Sequence, residues 1–249
     1  MAIETKSRVR TPFAPVLDLP PPFRLVTLRE AGDAFDHAVA IAAAEGAGTL
    51  VQVGRFDLAE FAVVLETEEP LRLARRAIYL GLCALGDALA AHAPPEKPIG
   101  FEWPDAVRVD GGLVGGVRLA WPADAEEREP PAWLVLGAMI RTVAMDQSVL
   151  RPPAAALEDE GFEDLGAGRL VESFARHLMA ALDVCANAGF GEIAKRYLAH
   201  LAPANGLRHE IDDNGDLLAR RGGAVERRAL ARALVTPSWL DPSTGEPRT

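Results

Sequence analysis

PIGFEWPDAVRVDGGLVGGVRLAW, residues 98–121, is the stretch of sequence that decides the fold. Two apolar runs lie on either side of a turn at Asp110-Gly111-Gly112, and this arrangement predicts a β-hairpin. Trp103-Pro104 opens the hairpin, where a proline is tolerated because only one ladder hydrogen bond is lost. A second glycine pair, Gly115-Gly116, lies inside the returning strand. Glycine at such a position marks either a bulge or a backbone that another group must approach closely.

The length, charge and hydropathy of the chain restrict its class. Its 249 residues, of which 49% are hydrophobic, suffice for one large domain or one domain with a small appendage. A formal net charge of −10 argues against a nucleic acid partner, because phosphates require a basic face, and against an anionic membrane surface. No run approaches the roughly 18 apolar residues of a membrane span, and the first residues show no apolar signal segment. We therefore expect a soluble, cytoplasmic protein.

Hydrophobic periodicity predicts the secondary structure on either side of the hairpin. Because the strands are joined mainly by hairpin-type links, we expect an α+β fold, in which a sheet has helices packed on one face. In chain order, the predicted elements are a strand at 23–28, a helix at 30–45, strands at 49–53 and 61–65, a helix at 70–93, the hairpin, a strand at 133–143, and helices at 169–188 and 190–201.

The two ends of the chain differ in composition from its middle. Residues 1–22 are polar and then proline-rich, which predicts an extended arm, and residues 23–202 would form the main domain. The remainder, 203–249, is expected to be a small β-containing domain, because Asp212-Asp213-Asn214-Gly215 is a strong hairpin turn. The arginine-rich stretch 223–235 is interpreted as a last helix.

Few residues match a metal site or a nucleophile by spacing alone. The five histidines are scattered, and Asp212-Asp213-Asn214-Gly215-Asp216 lacks the later glutamate of a calcium loop, so no metal site is predicted. Cys83 and Cys185 form no CxxC pair and are expected to be thiols in a reducing compartment. Cys83 is either an acyl-accepting thiolate or a core residue, and its leucine neighbours favour the core, where a thiol is inert.

The central stretch resembles that of the biotin–protein ligases. Glu102-Trp103-Pro104-Asp105-Ala106, followed by Val109 to Gly115, is similar to the family's Lys-Trp-Pro-Asn-Asp, short strand and Asp-Gly-Arg-Lys-Leu-x-Gly. Residues 134–140 resemble the family's next strand, whose pattern is apolar-Ile-Gly-apolar-Gly-Ile-Asn. Residues 157–201 resemble the block after it, and Ile211 to Leu218 resembles part of the ligases' barrel-like C-terminal domain. The matches keep the family's order and cover most of the chain.

The resemblance implies a fold, a reaction and partners. The fold would be the class II synthetase/biotin ligase-like mixed sheet with helices on one face, plus a small C-terminal β-containing domain. Family members condense biotin or lipoate with ATP and Mg²⁺ to an acyl-adenylate, and then pass the acyl group to a lysine of a carrier domain. The expected partners are therefore a biotinyl or lipoyl carrier-domain protein and a small carboxylic acid, while a homodimer stays open. The turn at Gly54-Arg55 matches the lipoate-type pattern as much as the biotin type.

Several positions depart from the family pattern. The ligases' Gly/Arg-rich loop is reduced to Gly54-Arg55-Phe56-Asp57, and the family lysine aligns with Gly112. Glu102 and Asp105 replace the motif's lysine and asparagine, and an acidic group that faces a phosphate is repulsive unless a metal intervenes. Two functions therefore stay open. The protein is either a ligase with a replacement cation, or a non-catalytic descendant that binds an acyl ligand or a carrier domain without adenylation.

The cations near these motifs have two interpretations each. Arg55 either holds an acid or a phosphate group, or only caps a tight loop. A replacement for the missing lysine would come from Lys97, Arg108 or Arg118. Arg118 is the main candidate, although a charged residue that alternates along a strand usually faces solvent.

The remaining candidates are the residues that would touch the ligand. Trp103 either walls a ligand pocket or belongs to the core. A shared metal at Glu102 and Asp105 is not expected, because neighbouring strand positions point to opposite faces. No catalytic residue is assigned. The predicted substrate-binding residues are Gly54, Arg55, Trp103, Asp105, Gly112, Leu113, Gly115, Gly116 and Arg118.

Overall fold

The computed structural model describes residues 17–29, 32–145, 154–163, 165–202 and 206–248, so that most of the predicted N-terminal arm lies outside the described residues. At its centre is a seven-stranded mixed sheet. Its strands are β1 (Arg24–Leu28), β2 (Thr49–Val53), β3 (Leu58–Leu65), β4 (Ile99–Glu102), β5 (Ala106–Val109), β6 (Gly112–Ala120) and β7 (Leu134–Arg141). They lie side by side in the order β1-β2-β3-β7-β6-β5-β4. Only β1 and β2 are parallel among these neighbouring strands.

The quoted stretch forms the predicted hairpin, and it contains a bulge. Asp110 and Gly111 both have positive φ (48° and 83°), as a tight turn requires. The pairing of β5 with β6 shifts by one residue, because Val107 lies opposite Gly115 while Arg108 lies opposite Leu113. Gly115 has a φ of 151°, and a Cβ there would lie 1.9 Å from the carbonyl oxygen of Met139 on β7. Both sequence interpretations of the glycine pair therefore hold, since a bulge and a close backbone approach coincide.

Helices cover both faces of the large sheet. On one face α3 (Ala77–Ala90), α4 (Ala167–Ala188) and α5 (Phe190–His200) bury their apolar sides in the main core, and α2 (Leu71–Ala74) is a single turn before α3. On the other face α1 (Ala34–Glu45) packs against β2, β3 and β7. The α+β class is confirmed. The expectation of helices on one face holds for α3 to α5, and α1 is the exception.

Small residues explain why α1 lies on the second face. Ala34, Ala38 and Ala42 recur one turn apart and are fully buried against β2, β3 and β7. Gly137 on β7 leaves room for the ring of Phe35, which a Cβ at this glycine would meet at 2.5 Å. Because helices cover both faces of β2, its sequence need not alternate between apolar and polar residues, and all five of its positions are buried.

A second, three-stranded sheet follows α5. It consists of β8 (Arg208–Ile211), β9 (Leu217–Arg221) and β10 (Ala224–Arg228), in the order β10-β9-β8. The prediction of a last helix at 223–235 was wrong. Gly222, with a φ of 58°, turns the chain after β9 into an antiparallel partner strand, and only the four-residue helix α6 (Leu230–Ala233) follows. Every side chain of β10 is exposed, and the strand is held by its backbone pairing with β9.

After α6 the chain returns to the large sheet. We call residues 238–248 the C-terminal segment; they include the short strands β11 (Leu240–Asp241) and β12 (Glu246–Pro247), which pair with each other. Trp239 is fully buried on the α1 face, among Leu58, Ala106 and Met139. α1 and the C-terminal segment therefore share one face of the sheet. The predicted boundary between a main domain and a C-terminal domain at residue 203 stays a prediction.

In the part of the chain that the structure describes, no helix has the length and apolarity needed to cross a membrane.

Asp33 connects α1 to the sheet, and its removal tests how much this contact contributes. Its carboxylate accepts from the N–H groups of Phe35 and Asp36 as the N-cap of α1, and Arg118 of β6 donates to both of its oxygens at 2.6 and 2.7 Å. We expect Asp33→Ala to lower the free energy of unfolding by about 2 kcal/mol, because a helix cap and a charge-assisted pair are lost together. Urea denaturation measures this, with the exposed first-turn variant Asp36→Ala as control. Equal losses in the two variants would contradict the prediction.

Candidate functional site

A cavity of about 280 Å³ opens where the loop between β2 and β3 meets the end of β7. The loop and β7 form one side of it, and the C-terminal segment forms the other. Its polar lining consists of Arg55, Asp57, Arg141, Asp241, Thr244 and Glu246, and its apolar lining of Leu58, Val143, Met145, Ala154 and Pro247.

Arg55 lies in the loop that joins β2 to β3. Its guanidinium donates to both carboxylate oxygens of Asp57, at 3.0 and 2.6 Å, and to Glu246 of the C-terminal segment at 2.9 Å. The hydrogen bonds with Asp57 raise the pKa of Arg55, and the same contact lowers the pKa of Asp57. Arg55 therefore stabilises its own loop through the bonds to Asp57, and its guanidinium also lines the cavity.

The loop is held in place by the chain that follows β7. The backbone N–H of Thr142 donates to the carbonyl of Asp57 at 2.8 Å, and its hydroxyl donates to the carbonyl of Phe56 at 2.7 Å. Gly54 donates its N–H to Leu28 at the end of β1. These bonds fix Arg55 relative to the sheet, so that its guanidinium is positioned before any ligand arrives.

Arg141 is the second cation of the cavity, and the sequence analysis missed it. It is the last residue of β7, it lies opposite Leu58 in the β3–β7 register, and only 7% of it is exposed. Its guanidinium donates to the carbonyl oxygens of Pro247 and Ala155, and among the described residues it forms no hydrogen bond with a carboxylate. Burial lowers the pKa of Arg141. The carboxylates of Glu246 and Asp57 act on this charge at longer range, but among the described residues neither of them occupies its hydrogen-bond donors.

Asp105 lies beneath the start of the C-terminal segment and is 1% exposed. Its carboxylate accepts from the backbone N–H and the hydroxyl of Ser238, at 3.0 and 2.5 Å. Burial raises the pKa of Asp105 to about 6. Next to this pair, the indole N–H of Trp239 donates to the carbonyl of Val117 at 2.9 Å. A Cβ at Gly116 would lie 2.3 Å from the indole ring, so the glycine makes room for Trp239.

The structure brings together only some of the predicted substrate-binding residues. Arg55 lines the cavity, and Gly54 precedes it in the same loop. Leu113 packs against the cluster that contains Trp239, near Asp105 and Gly116. These residues are covered by the C-terminal segment, which belongs to the stretch 203–249 that was predicted to form a small β-containing domain. The signal that could have revealed the segment is a single tryptophan, Trp239, within a proline-containing polar stretch. Their role in ligand binding stays a prediction.

The other predicted residues lie apart from the cavity. Trp103 packs against the main core, and its indole N–H donates to the hydroxyl of Tyr79 on α3. A Cβ at Gly112 would meet Ala155 at 2.6 Å. Gly115 is closely approached by the backbone of β7 rather than by the cavity. Arg118 is bound to Asp33, and its guanidinium lies 4.3 Å from the ring centre of Phe35.

None of the three cations proposed to replace the missing lysine lines the cavity. Lys97 pairs with Asp110 and Glu160, at 2.8 Å each. Arg108 pairs with Glu102, also at 2.8 Å. Arg118 donates to Asp33, the N-cap residue of α1, as described above. Arg141 is the cation that lines the cavity together with Arg55.

Cys83 does not support the thioester alternative. It is 4% exposed within α3, and burial raises the pKa of its thiol to about 12. At neutral pH the group is therefore protonated and enclosed, whereas an acyl acceptor must be an accessible thiolate.

The charges of the cavity do not fit a triphosphate in this arrangement. Among the charged side chains described there, two guanidinium groups face three carboxylates, which leaves a formal charge of −1. ATP carries several negative charges and would be repelled by a cavity of that sign. In the described ranges no three His, Cys, Asp or Glu side chains lie close enough to hold a metal ion by themselves. A Mg²⁺ ion that arrives with the phosphates needs only one or two protein carboxylates, and it would offset the repulsion.

Comparisons with known proteins agree with this fold. A sequence model described as the biotin/lipoate A/B protein ligase family matches residues 19–199. A crystal structure of a biotin protein ligase-like protein of unknown function from Silicibacter sp. TM1040 is 27% identical, with a TM-score of 0.76, over 89% of this chain and 100% of that one. A search of curated proteins finds no match.

Two structures of more distant ligases show likeness in fold alone. Biotin protein ligase from Aquifex aeolicus, in complex with biotin and ATP, has a TM-score of 0.63 at 14% identity, over 82% of this chain and 95% of that one. The ligase from Leishmania major, in complex with biotinyl-5-AMP, has a TM-score of 0.55 at 16% identity, over 84% of this chain and 99% of that one.

Burial of Asp105 predicts a pH dependence of stability. Its pKa is about 6 in the folded protein and about 3.9 in an unfolded chain, so the folded state holds this proton more tightly. The contribution of this group to stability is therefore full below pH 4 and is lost as the pH rises through 6. Asp105→Asn removes the titration. We expect its stability relative to wild type to be higher at pH 8 than at pH 4.5, by roughly 2 kcal/mol.

Urea denaturation at the two pH values measures this difference. Asp124→Asn, on the exposed loop after β6, controls for the substitution itself. If Asp105→Asn has the same relative stability at both pH values, the carboxyl of Asp105 does not titrate as the structure indicates.

Proposed function

The chain belongs to the biotin/lipoate A/B protein ligase family, and from this membership we propose that it binds a biotin- or lipoate-type carboxylic acid and attaches it to a lysine of a carrier domain. The observation that carries the proposal is the pair of guanidinium groups, Arg55 and Arg141, at one cavity. Arginine is the side chain best suited to a carboxylate, because its fork of N–H donors matches the two oxygens.

The size and surroundings of the cavity support a ligand whose carboxylate is bound inside the cavity and whose apolar chain lies outside it. A volume of about 280 Å³ is slightly below the range of about 300–1,000 Å³ that is typical of ligand pockets, so only part of such a ligand would be enclosed. Phe56, beside Arg55 in the loop, is 67% exposed, and Met145 at the cavity is 53% exposed. Exposed apolar side chains next to two arginines suit a ligand with a charged head and an apolar body.

The proposed partner is a protein with a carrier domain that offers an exposed lysine. A net charge of −10 favours the approach of a cationic side chain. Cys83 and Cys185 are both free, which agrees with a reducing compartment, and we infer a cytoplasmic protein on that basis. A homodimer stays a prediction.

A second candidate function is binding of the acid or of the carrier without adenylation. Attachment to a lysine requires an activated acyl group, because a free carboxylate has no suitable leaving group. The cavity has a formal charge of −1 in the described arrangement, and no lysine stands where the family has one. These two observations favour the binding function.

ATP–pyrophosphate exchange separates the two functions. The purified chain is assayed with biotin, lipoate and octanoate in turn, after its folding has been verified by circular dichroism. We expect exchange with one of the three acids, which would identify the substrate. A folded protein that supports no exchange with any acid would contradict the ligase proposal and leave acid binding as the function.

Arg141→Gln tests the acid site itself. The variant loses a charge-assisted bond to the ligand, so we expect the dissociation constant of the acid to rise about tenfold to a hundredfold. Isothermal titration calorimetry measures the affinity, and thermal unfolding verifies that the variant is folded. Arg128→Gln, on the exposed loop between β6 and β7, is the matched control and should bind as wild type does. An unchanged affinity in a folded Arg141→Gln variant would remove this residue from the site.

A further inference from the structure

The C-terminal segment supplies an acceptor to each of the two cations of the cavity, a carboxylate to Arg55 and a backbone carbonyl to Arg141. Glu246 accepts from Arg55 at 2.9 Å, and the carbonyl of Pro247 accepts from Arg141. The segment therefore occupies the donors that a carboxylic acid would use. A ligand carboxylate on Arg55 and the carboxylate of Glu246 have the same chemistry and the same partner.

The segment has two parts that are held very differently. Its first two residues form an anchor, since Ser238 donates twice to Asp105, while Trp239 is fully buried and donates to Val117. Residues 240–248 form an arm, the hairpin of β11 and β12, whose turn at 242–245 is exposed.

Contacts at the cavity hold the arm in place. The pair of Glu246 and Arg55 is partly exposed, with 31% and 29% of the two side chains accessible. Such pairs contribute little to stability, because water competes for both ions. The end of the arm is bonded back to the anchor. The backbone N–H of Arg248 donates to the carbonyl of Trp239, and its guanidinium donates to the carbonyl of Ser238. The arm also packs through Leu240 against the cluster of Trp239 and buries Pro247. Its departure from the cavity therefore breaks the ion pair and these two apolar contacts, while Trp239 keeps its own buried position.

The charge of the cavity changes sign when the arm leaves. Asp241 and Glu246 belong to the arm, whereas Asp57 and the two arginines belong to the loop and to β7. Without the arm, two guanidinium groups face a single carboxylate, and the described formal charge becomes +1 instead of −1. The same movement removes the repulsion that makes the cavity unsuitable for a carboxylate or for phosphates.

We propose that the arm, residues 240–248, is an internal competitor for the acid site: Glu246 takes the place of the ligand's carboxylate on Arg55, and a ligand binds by displacing the arm. The inference rests on the proposed acid site. Because binding requires the open form, the apparent affinity is the affinity of the open site reduced by the fraction of molecules that are open.

Weakening the arm without touching the cavity's cations tests the proposal. Glu246→Gln removes the charge that competes, and Glu226→Gln, an exposed residue of β10 paired with Arg228, is the matched control. Biotin, lipoate, octanoate and inorganic pyrophosphate are each titrated by calorimetry into wild type and both variants. We expect Glu246→Gln to bind at least one probe about threefold more tightly than wild type or better, and Glu226→Gln to match wild type.

A second variant and a second readout keep the test independent of any one substitution. A chain that ends at Trp239 retains the anchor and lacks the arm, and it should bind the same probe at least as tightly as Glu246→Gln does. In wild type, hydrogen exchange of the peptide that covers 240–248 should become faster when the probe saturates the protein. The peptide that covers β7 serves as the internal reference.

The outcomes separate this inference from the proposed function. Equal probe affinity in wild type and Glu246→Gln, with the arm still protected, would overturn the competitor while leaving the acid site. Tighter binding in the variants without pyrophosphate exchange would support the competitor and overturn only the ligase reaction. No probe binding to any folded form, including the shortened chain, would overturn both.

Discussion

The structure depends on two adjacent positions that carry no side chain. A Cβ at Gly115 would lie 1.9 Å from the carbonyl oxygen of Met139, so glycine alone lets β6 and β7 approach as closely as they do. A Cβ at Gly116 would lie 2.3 Å from the indole of Trp239 and from the carbonyl oxygen of Asp105. The register at the centre of the sheet and the docking of the C-terminal segment both follow from this pair.

Turn residues and hydrophobic periodicity predicted those parts of the fold that depend on residues close together in the sequence. The hairpin of β5 and β6, the α+β class and most elements from β1 to α5 follow from turn residues and periodicity, whereas β4 and β10 were not predicted. The position of α1 on the second face depends on contacts of Ala34, Ala38 and Ala42 with distant strands, which periodicity does not report. The C-terminal segment was missed for the same reason. One buried tryptophan in a polar stretch has no period, and its partners Leu58, Ala106 and Met139 are far away in the chain.

The residues of the candidate site also differ in whether the sequence could indicate them, because some depend on local motifs and others on contacts between distant parts of the chain. Arg55 could be singled out because it lies in a turn that the family resemblance covers. Arg141 could not, because its role depends on the β3–β7 register and on the carbonyl of Pro247. Lys97, Arg108 and Arg118 are close to the motif in sequence, yet each is held by an acidic partner. Two of these partners, Asp110 and Glu102, belong to the motif itself, and the third, Asp33, caps α1.

The distance in sequence between the contacts of the C-terminal segment has a consequence for synthesis on the ribosome. Ser238 follows Asp105 by 133 positions, and Glu246 follows Arg55 by 191. Domains begin to fold from the N-terminal end during translation, so the large sheet can assemble while this segment has yet to be made. Until then Leu58, Ala106 and Met139 form a bare apolar patch on the nascent chain, and Arg55 and Arg141 are without Glu246 and Pro247. The contacts that cover the cavity are therefore among the last that the growing chain can make.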